Sequence, residues 1–322
     1  MSTKRSLKDK LRQVAELRSA GKLDQAGALL EQLCNNPEIH ILGQTTSLGM
    51  PRQLQSALLG LAKSEQNSVA SIGYQFYLVP PVEVLTKHAK FSSDERRAIV
   101  SANARSVPRV IHQIWIGKQA LPATIGAWIR HCNKHGYTHR LWQEEDLRRS
   151  GFDQHPMYQH MITRGDLPGA VDVARYQILE QHGGIYLDCD WFPARDDLSF
   201  HDLLPLKGLI AMAEPIPRNT GKGGLLLANS MIATPADHPV FSRLIESLKV
   251  VLHDLPDSPA WWSTGPLIFT LMSRGGTVTL ADDSFVAGSL PRESSLKEIE
   301  AWCKRSQAED KGLLLLWKSW VL

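Results

Sequence analysis

Two carboxylates with one residue between them, Asp188 and Asp190 around Cys189, have the clearest chemical use in this sequence. They close the run Ile185-Tyr186-Leu187-Asp188-Cys189-Asp190, which reads as a single strand. In an extended chain alternate side chains share a face, so both carboxylates converge where the strand leaves its sheet. Charges placed that way repel unless a cation lies between them. Oxygen ligands suit Mg²⁺ or Mn²⁺, and either ion can hold a diphosphate and offset negative charge growing on a leaving group. A helix over 169–181 precedes the strand, with Asp172 and Arg175 three apart on one face. Arg175 could donate to the same phosphates or to a sugar. An isolated Asp-x-Asp is more often a solvated strand end, and an Asp172–Arg175 pair an ordinary surface pair. The surrounding order of helix, Gly183-Gly184 turn, hydrophobic strand and Trp191-Phe192-Pro193 stop favours a built site instead.

Several other elements must hold this segment. Val110 to Ile116 is a buried-strand candidate opening after Val107-Pro108, and Gly117-Lys118 begins a loop. A helix around 122–134 and a strand near 138–142 come next. Strand, helix, strand, helix implies an α/β sheet with crossovers, in which ligands collect beyond the carboxyl ends of the strands. Trp115 lies at one such end. Upstream, residues 1–106 read as a mainly helical accessory region. Its clearest part is a helical hairpin at about 7–34, with Gly21 at the turn and Asn35-Asn36-Pro37 as the stop. Ala15, Gly21 and Ala26 give it the look of one tetratricopeptide-like repeat; one copy is weak evidence, since solenoids need about three. It reads as a hairpin packed on the main domain or as a surface for a protein partner. Ser92-Ser93-Asp94-Glu95 looks like a helix start. The apolar stretch 74–84 is broken by Pro80-Pro81 and suggests no role.

Composition excludes several classes. The 322 residues are 43% hydrophobic and 21% charged, with a formal net charge of +3, so there is no bulk attraction for nucleic acid. Basic residues are scattered without interleaved aromatics, so no nucleic-acid partner is expected. Nine tryptophans against eight phenylalanines is a high share, suited to packing on flat rings and sugars. Cys34, Cys132, Cys189 and Cys303 lie at no metal spacing and read as free thiols of a reducing compartment. The basic start lacks an apolar segment behind it, and no run approaches a membrane span. The expected location is cytoplasmic, or outside the cell by a route without a classical signal peptide. His155, His160 and His182 show no ligand spacing and read as structural. No Gly-x-Gly-x-x-Gly comes after the first strand, which disfavours a Rossmann dehydrogenase.

Asp172-x-x-Arg175 followed by Gly183-Gly184-Ile185-Tyr186-Leu187-Asp188-x-Asp190 resembles the DXD-containing sugar-binding region of the glycosyltransferase 32 family, related to the glucosyltransferase domains of large clostridial toxins. Further stretches are similar: Pro108 to Gly117, Tyr137 to Leu147, Asn229 to Ala233 with His238-Pro239, and Thr264-Gly265-Pro266. Together they cover 107–322, the expected catalytic domain. The resemblance implies a GT-A-like fold, a nucleotide-sugar-binding mixed sheet flanked by helices, preceded here by the helical accessory region. It implies a retaining transferase that moves a hexose or N-acetylhexosamine from a nucleotide diphosphate sugar, a UDP-sugar or a GDP-sugar, to an acceptor hydroxyl on a glycan or protein. By the same resemblance Asp190 ligates Mn²⁺ or Mg²⁺, Asp188 binds donor hydroxyls and assists the metal, and Arg175 steadies the donor with Asp172 fixing Arg175 or the sugar. Trp115 stacks on the base, Asn229 lies across the sugar pocket, and Ser319 and Trp320 touch the diphosphate. One departure stands out. The family commonly ends in a strand with a His or acidic ligand before its Ser-Trp pair, and Leu316-Trp317-Lys318-Ser319-Trp320 has neither. The third ligand is then absent, replaced by water, or supplied by Glu309 or Asp310.

Two other classes stay open from sequence. One is an exported bacterial effector that glycosylates a host protein with the same core. The other is a non-catalytic sugar-nucleotide or protein-binding module, for which the altered C-terminal motif is the best support.

Overall fold

The computed structural model describes residues 3–46, 49–67, 70–71, 73–74, 85–214, 225–256 and 258–318. The chain divides into two compact units, one within Met1–Val84 and one formed by Leu85–Pro215 and Leu225–Leu322.

In the first unit α1 (Thr3–Ser19) and α2 (Leu23–Cys34) are antiparallel neighbours joined at Gly21, whose φ of 72° suits a residue without a side chain. Leu7 and Val14 of α1 meet Ala26, Leu30 and Leu33 of α2. α3 (Arg52–Ser64) closes the cluster with Leu54, Leu58 and Leu61.

The second unit starts with α4 (Ser93–Asn103), capped as its sequence implies: Ser92 accepts from Glu95 N while Glu95 accepts from Ser92 N. This helix, expected within the accessory region at 1–106, belongs to the second unit. In the structure Ile99 is buried in the second unit, lying with Val240 around Gly276, and Glu95 pairs with Arg243. The centre of the unit is a six-stranded mixed sheet in the order β2-β1-β3-β6-β5-β7. Its strands are β1 (Val110–Ile114), β2 (Thr138–Trp142), β3 (Gly184–Leu187), β5 (Ile210–Ala213), β6 (Leu227–Thr234) and β7 (Thr279–Leu280). β1, β2 and β3 run parallel, and β6 runs antiparallel to both β3 and β5. A smaller sheet joins β4 (Trp191–Pro193), β8 (Val286–Ser289) and β9 (Leu314–Leu316), with β9 in the middle. The α/β class expected from the sequence therefore holds: a central mixed sheet with helices against it, among them α5 (Ala123–His135) and α6 (Leu167–His182).

α6 is nearly buried all round, which its weak amphipathic pattern already suggests. Asp166 caps it by accepting from Gly169 N at 3.0 Å. At its other end Gly183 and Gly184 take φ of 61° and 98°. A side chain on Gly184 would lie 2.8 Å from Val110 O and 3.0 Å from His112 Nε2, so only glycine lets β3 enter beside β1. His112 locks this corner. Its Nε2 donates to Gly183 O at 2.9 Å and its Nδ1 accepts from Trp142 Nε1 at 3.1 Å. Burial holds its pKa down at about 3, so the ring stays neutral, as those two bonds require.

Candidate active site

β3 ends at Leu187, and the aspartates leave it in a turn. This corrects the expected strand over 185–190. Asp188 N still donates to Ser230 O at 2.9 Å, but Trp191 N then folds back to Asp188 O at 3.2 Å, closing a four-residue turn over Cys189 and Asp190. The cause is the pairing of the next strand: Trp191 must start β4, which joins β9 in the other sheet. The carboxylates thus come together through a turn between two sheets rather than through strand alternation. The turn is anchored from beneath, because Thr124 Oγ1 donates to Cys189 O at 2.6 Å and Cys189 Sγ to Ile114 O at 3.3 Å. It is anchored from above by Trp317 N donating to Asp190 O at 2.7 Å.

The two aspartates have different surroundings. Asp188 Oδ1 takes Arg175 Nη2 at 3.1 Å and the Tyr186 hydroxyl at 2.8 Å. Asp190 Oδ1 is buried with no hydrogen-bond partner, while Oδ2 has Lys318 Nζ at 3.9 Å. Burial, reinforced by the neighbouring Asp188 charge, pushes the Asp190 carboxyl up to about 7, against the pull of Lys318.

Arg175 is almost wholly enclosed. It reaches Asp172 Oδ1 at 3.0 Å as well as Asp188, donates through Nη1 to Asn229 O, and its Cζ lies 4.5 Å from the centre of the Tyr186 ring. Burial alone would lower its pKa, but Asp188, Tyr186 and Asp172 raise it, so the guanidinium stays charged. Asp172 is saturated: Asn229 Nδ2 donates to Oδ1 at 2.8 Å and Thr264 Oγ1 to Oδ2 at 3.0 Å. Burial raises its carboxyl to about 6 despite Arg175. Asn229 Nδ2 also donates to the Tyr176 hydroxyl at 3.1 Å, which itself donates to Thr264 O at 2.7 Å. A closed network therefore runs from Thr264 through Asp172 and Arg175 to Asp188.

The structure thus brings Asp172, Arg175, Asp188, Asp190 and Asn229 to one end of the sheet, beyond the carboxyl ends of β1 and β3. Trp115 lies in an adjoining apolar cluster with Ile125, Cys189 and Leu141, is only 9% exposed, and donates from its indole to Gln119 O at 3.0 Å. Ser319 and Trp320 lie outside the described residues. Glu309 pairs with Lys311 and Asp310 with Arg195, so both suggested third ligands are engaged with their own neighbours. Among the described residues no three His, Cys, Asp or Glu side chains gather to hold an ion. The donor set that remains, one carboxylate with an unpartnered buried oxygen and a second one beside it, fits a divalent cation that completes its shell with phosphate and water. Sequence reasoning missed Tyr186, Tyr176 and Lys318. Tyr186 was within reach, since residues 186 and 188 share a face of an extended chain. A cavity of about 500 Å³ lined by His131, Phe192, Arg195 and Cys303 contains neither aspartate.

Residues 123–203 match the family described as "Glycosyltransferase sugar-binding region containing DXD motif", and both aspartates lie inside the match. The expected resemblance to DXD-containing glycosyltransferases is borne out by that match. An uncharacterized glycosyltransferase of Acanthamoeba polyphaga mimivirus is 31% identical over 170 residues, 51% of this chain and 63% of that protein. Inositol phosphoceramide mannosyltransferase 3 of Schizosaccharomyces pombe is 27% identical over 184 residues, 54% of this chain and 47% of that protein. The chain thus matches less than two thirds of the length of either relative. Among solved structures, PaToxG Glycosyltransferase aligns with a TM-score of 0.42 at 20% identity, over 60% of this chain and 78% of that one. The UDP-bound glycosyltransferase domain from the YGT toxin aligns with a TM-score of 0.30 at 12% identity, over 85% and 70%.

Proposed function

We propose that this chain is a glycosyltransferase that moves a hexose or N-acetylhexosamine from a nucleoside diphosphate sugar, UDP- or GDP-linked, to an acceptor hydroxyl with retention of configuration. One observation carries the reading: within the matched sugar-binding segment, a turn beyond the sheet presents Asp190 with a buried, unpartnered oxygen beside a fixed Asp188. Asp190 would hold Mn²⁺ or Mg²⁺, with Asp188 as the nearby second carboxylate. Such an ion supplies electrostatic stabilisation of the charge that accumulates on the leaving diphosphate.

The protein's own groups do the positioning. Arg175 Nη2 and the Tyr186 hydroxyl both bind Asp188 Oδ1, so among the described residues Oδ2 has no partner and is the oxygen offered to ribose or sugar hydroxyls. Arg175 acts mainly through Asp188, because its guanidinium is enclosed by Asp172, Asp188 and the Asn229 carbonyl. Asp172 holds Arg175 and is itself held by Asn229 and Thr264. Trp115 flanks the site as the base-stacking candidate, and Ser319 and Trp320, directly after Lys318, are the candidates to close over the diphosphate. The acceptor hydroxyl attacks the anomeric carbon on the face the phosphate leaves. The carbon–oxygen bond to phosphate breaks as the new glycosidic bond forms, and the hydroxyl proton passes to the departing phosphate oxygen. The two-carboxylate hydrolase arrangement fits less well, since Asp188 and Asp190 share one turn and do not face each other across a substrate.

Incubation of the whole chain with UDP-glucose, UDP-N-acetylglucosamine and GDP-mannose, with Mn²⁺ or Mg²⁺, tests this by release of free UDP or GDP. Turnover of at least one donor that stops on chelation is expected. No release from any donor with either ion would overturn the reading.

A further inference from the structure

Asp190 faces three charged groups: Asp188, Arg175 and Lys318. Arg175 is committed elsewhere, to Asp188 and Asp172. Lys318 is the only cation among the described residues that pairs directly with Asp190, with Nζ 3.9 Å from Oδ2. Its placement is built into the fold. β9 pairs with β4 in the register Leu316 to Trp191, and the next residue, Trp317, hydrogen-bonds Asp190 O through its backbone. The buried Trp317 indole donates to Arg292 O at 3.2 Å and packs edge-on to Phe192 at 6.4 Å, which fixes the direction in which the chain leaves the strand. Lys318 therefore starts from an anchored backbone, while its side chain is 56% exposed. An exposed ammonium at 3.9 Å is held weakly, so a divalent cation can displace it. An ammonium is also a good partner for phosphate oxygens.

We propose that Lys318 is a donor-binding residue with two positions. Without ligand its ammonium is the counter-ion of Asp190; when a divalent cation occupies that carboxylate, the ammonium moves to the donor diphosphate. This rests on the transferase reading above and adds to it a residue that competes with the metal yet assists the nucleotide. The two effects have opposite signs, which a merely structural lysine would not give.

Titration calorimetry of the full chain separates them, with Mn²⁺ alone as one probe and UDP or GDP in saturating Mn²⁺ as the other. Lys318→Ala should bind Mn²⁺ alone about two- to fivefold more tightly, the range open to an exposed ion pair. It should bind the nucleotide about tenfold more weakly, the loss expected for one charge-assisted hydrogen bond. Lys318→Arg should restore both constants, and Lys318→Gln should behave as Lys318→Ala. Unchanged or weaker Mn²⁺ binding in Lys318→Ala, or unchanged nucleotide affinity, overturns the proposal while leaving the transferase reading standing. A wild-type chain that binds neither Mn²⁺ nor either nucleotide overturns both.

Discussion

Asp190→Asn is the substitution on which the site chemistry and the fold give opposite signals. The carboxyl rises from 3.8 to about 7 on folding, because burial and then the Asp188 charge oppose its ionisation. For an acid with a raised folded pKa, the folded state keeps its proton longer, so stability is lost as pH climbs from 3.8 to about 7 and stays lost above. At about 1.36 kcal/mol per pH unit, keeping Asp190 ionised at pH 8 costs the fold at most about 4 kcal/mol. An asparagine removes that penalty but leaves a buried amide whose oxygen has no hydrogen-bond partner, which costs about 1–3 kcal/mol. Asp190→Asn without metal should therefore be more stable than wild type by about 1–3 kcal/mol at pH 8, or about 2–4 °C in Tm for each kcal/mol. At pH 5, well below the raised pKa, most of that penalty is absent, so the advantage should vanish there. Mn²⁺ should reverse the order, because a ligand that binds only the folded wild type raises its Tm and leaves the variant unmoved. Transfer should fall by about 10²–10³ or more, the cost of losing a principal electrostatic stabiliser. Thermal melts at pH 5 and pH 8, with and without Mn²⁺, together with nucleotide release, make the check. A variant less stable at pH 8, or one that keeps both its Mn²⁺ shift and its transfer rate, would refute the reasoning.

The same geometry sets four further outcomes. Trp115→Ala should cost about 3–5 kcal/mol in a denaturant melt, since its ring is buried, and should weaken UDP or GDP binding by about 1–3 kcal/mol if it stacks on the base; a folded variant with unchanged affinity returns it to a packing role. Asp172→Ala should destabilise the fold by about 3–5 kcal/mol, because it strands part of the Arg175 charge in the interior; denaturant titration reads this, and a near-neutral result would show that Arg175 needs only Asp188. Gly184→Ala should cost about 1–3 kcal/mol for the positive φ alone, with the overlap on Val110 O added to it, and a Tm equal to wild type would contradict that. Removal of Ser319–Leu322 should abolish nucleotide release while leaving the Tm within a few degrees of wild type, and full release from the truncated chain would remove those residues from the mechanism.

The order of elements was legible because apolar runs of strand or helix length are bounded by glycine, proline or capping residues. β1 at 110–114, α5 at 123–135, β2 at 138–142 and α6 at 167–182 all lie where the pattern puts them. Ser92 announced its helix through capping chemistry, and Gly183-Gly184 announced a turn that no side chain would permit. Other features depend on contacts distant in sequence. The strand expected through Asp190 ends at Leu187 because Trp191 is recruited by β9, whose Leu316 lies far along the chain. Arg175 has the sequence signature of a surface residue three from an acid. Its enclosure is set by Asn229 and Thr264, which arrive from β6 and from a turn late in the chain. Lys318 gave no signal at all, since its relation to Asp190 exists only once β9 pairs with β4.

The pair of aspartates is therefore a pair in sequence only. Asp188 is partly exposed and held by Arg175 and Tyr186, so its carboxylate is fixed before any ligand arrives. The cost of burying Arg175 is offset by two carboxylates, one backbone carbonyl and an aromatic face, which gives Asp188 a rigid support rather than a competing partner. Asp190 has the reverse character: it is buried, disfavoured as an anion, and left with one unpartnered oxygen and one distant lysine. A carboxylate in that condition gains more from a cation than one already neutralised, since the ion removes both the repulsion from Asp188 and the unmet hydrogen-bonding demand. On the proposed reading, strength of cation binding and precision of placement would fall to different residues two positions apart. The turn that separates them, forced by the passage of the chain from one sheet to the other, is what allows their environments to differ.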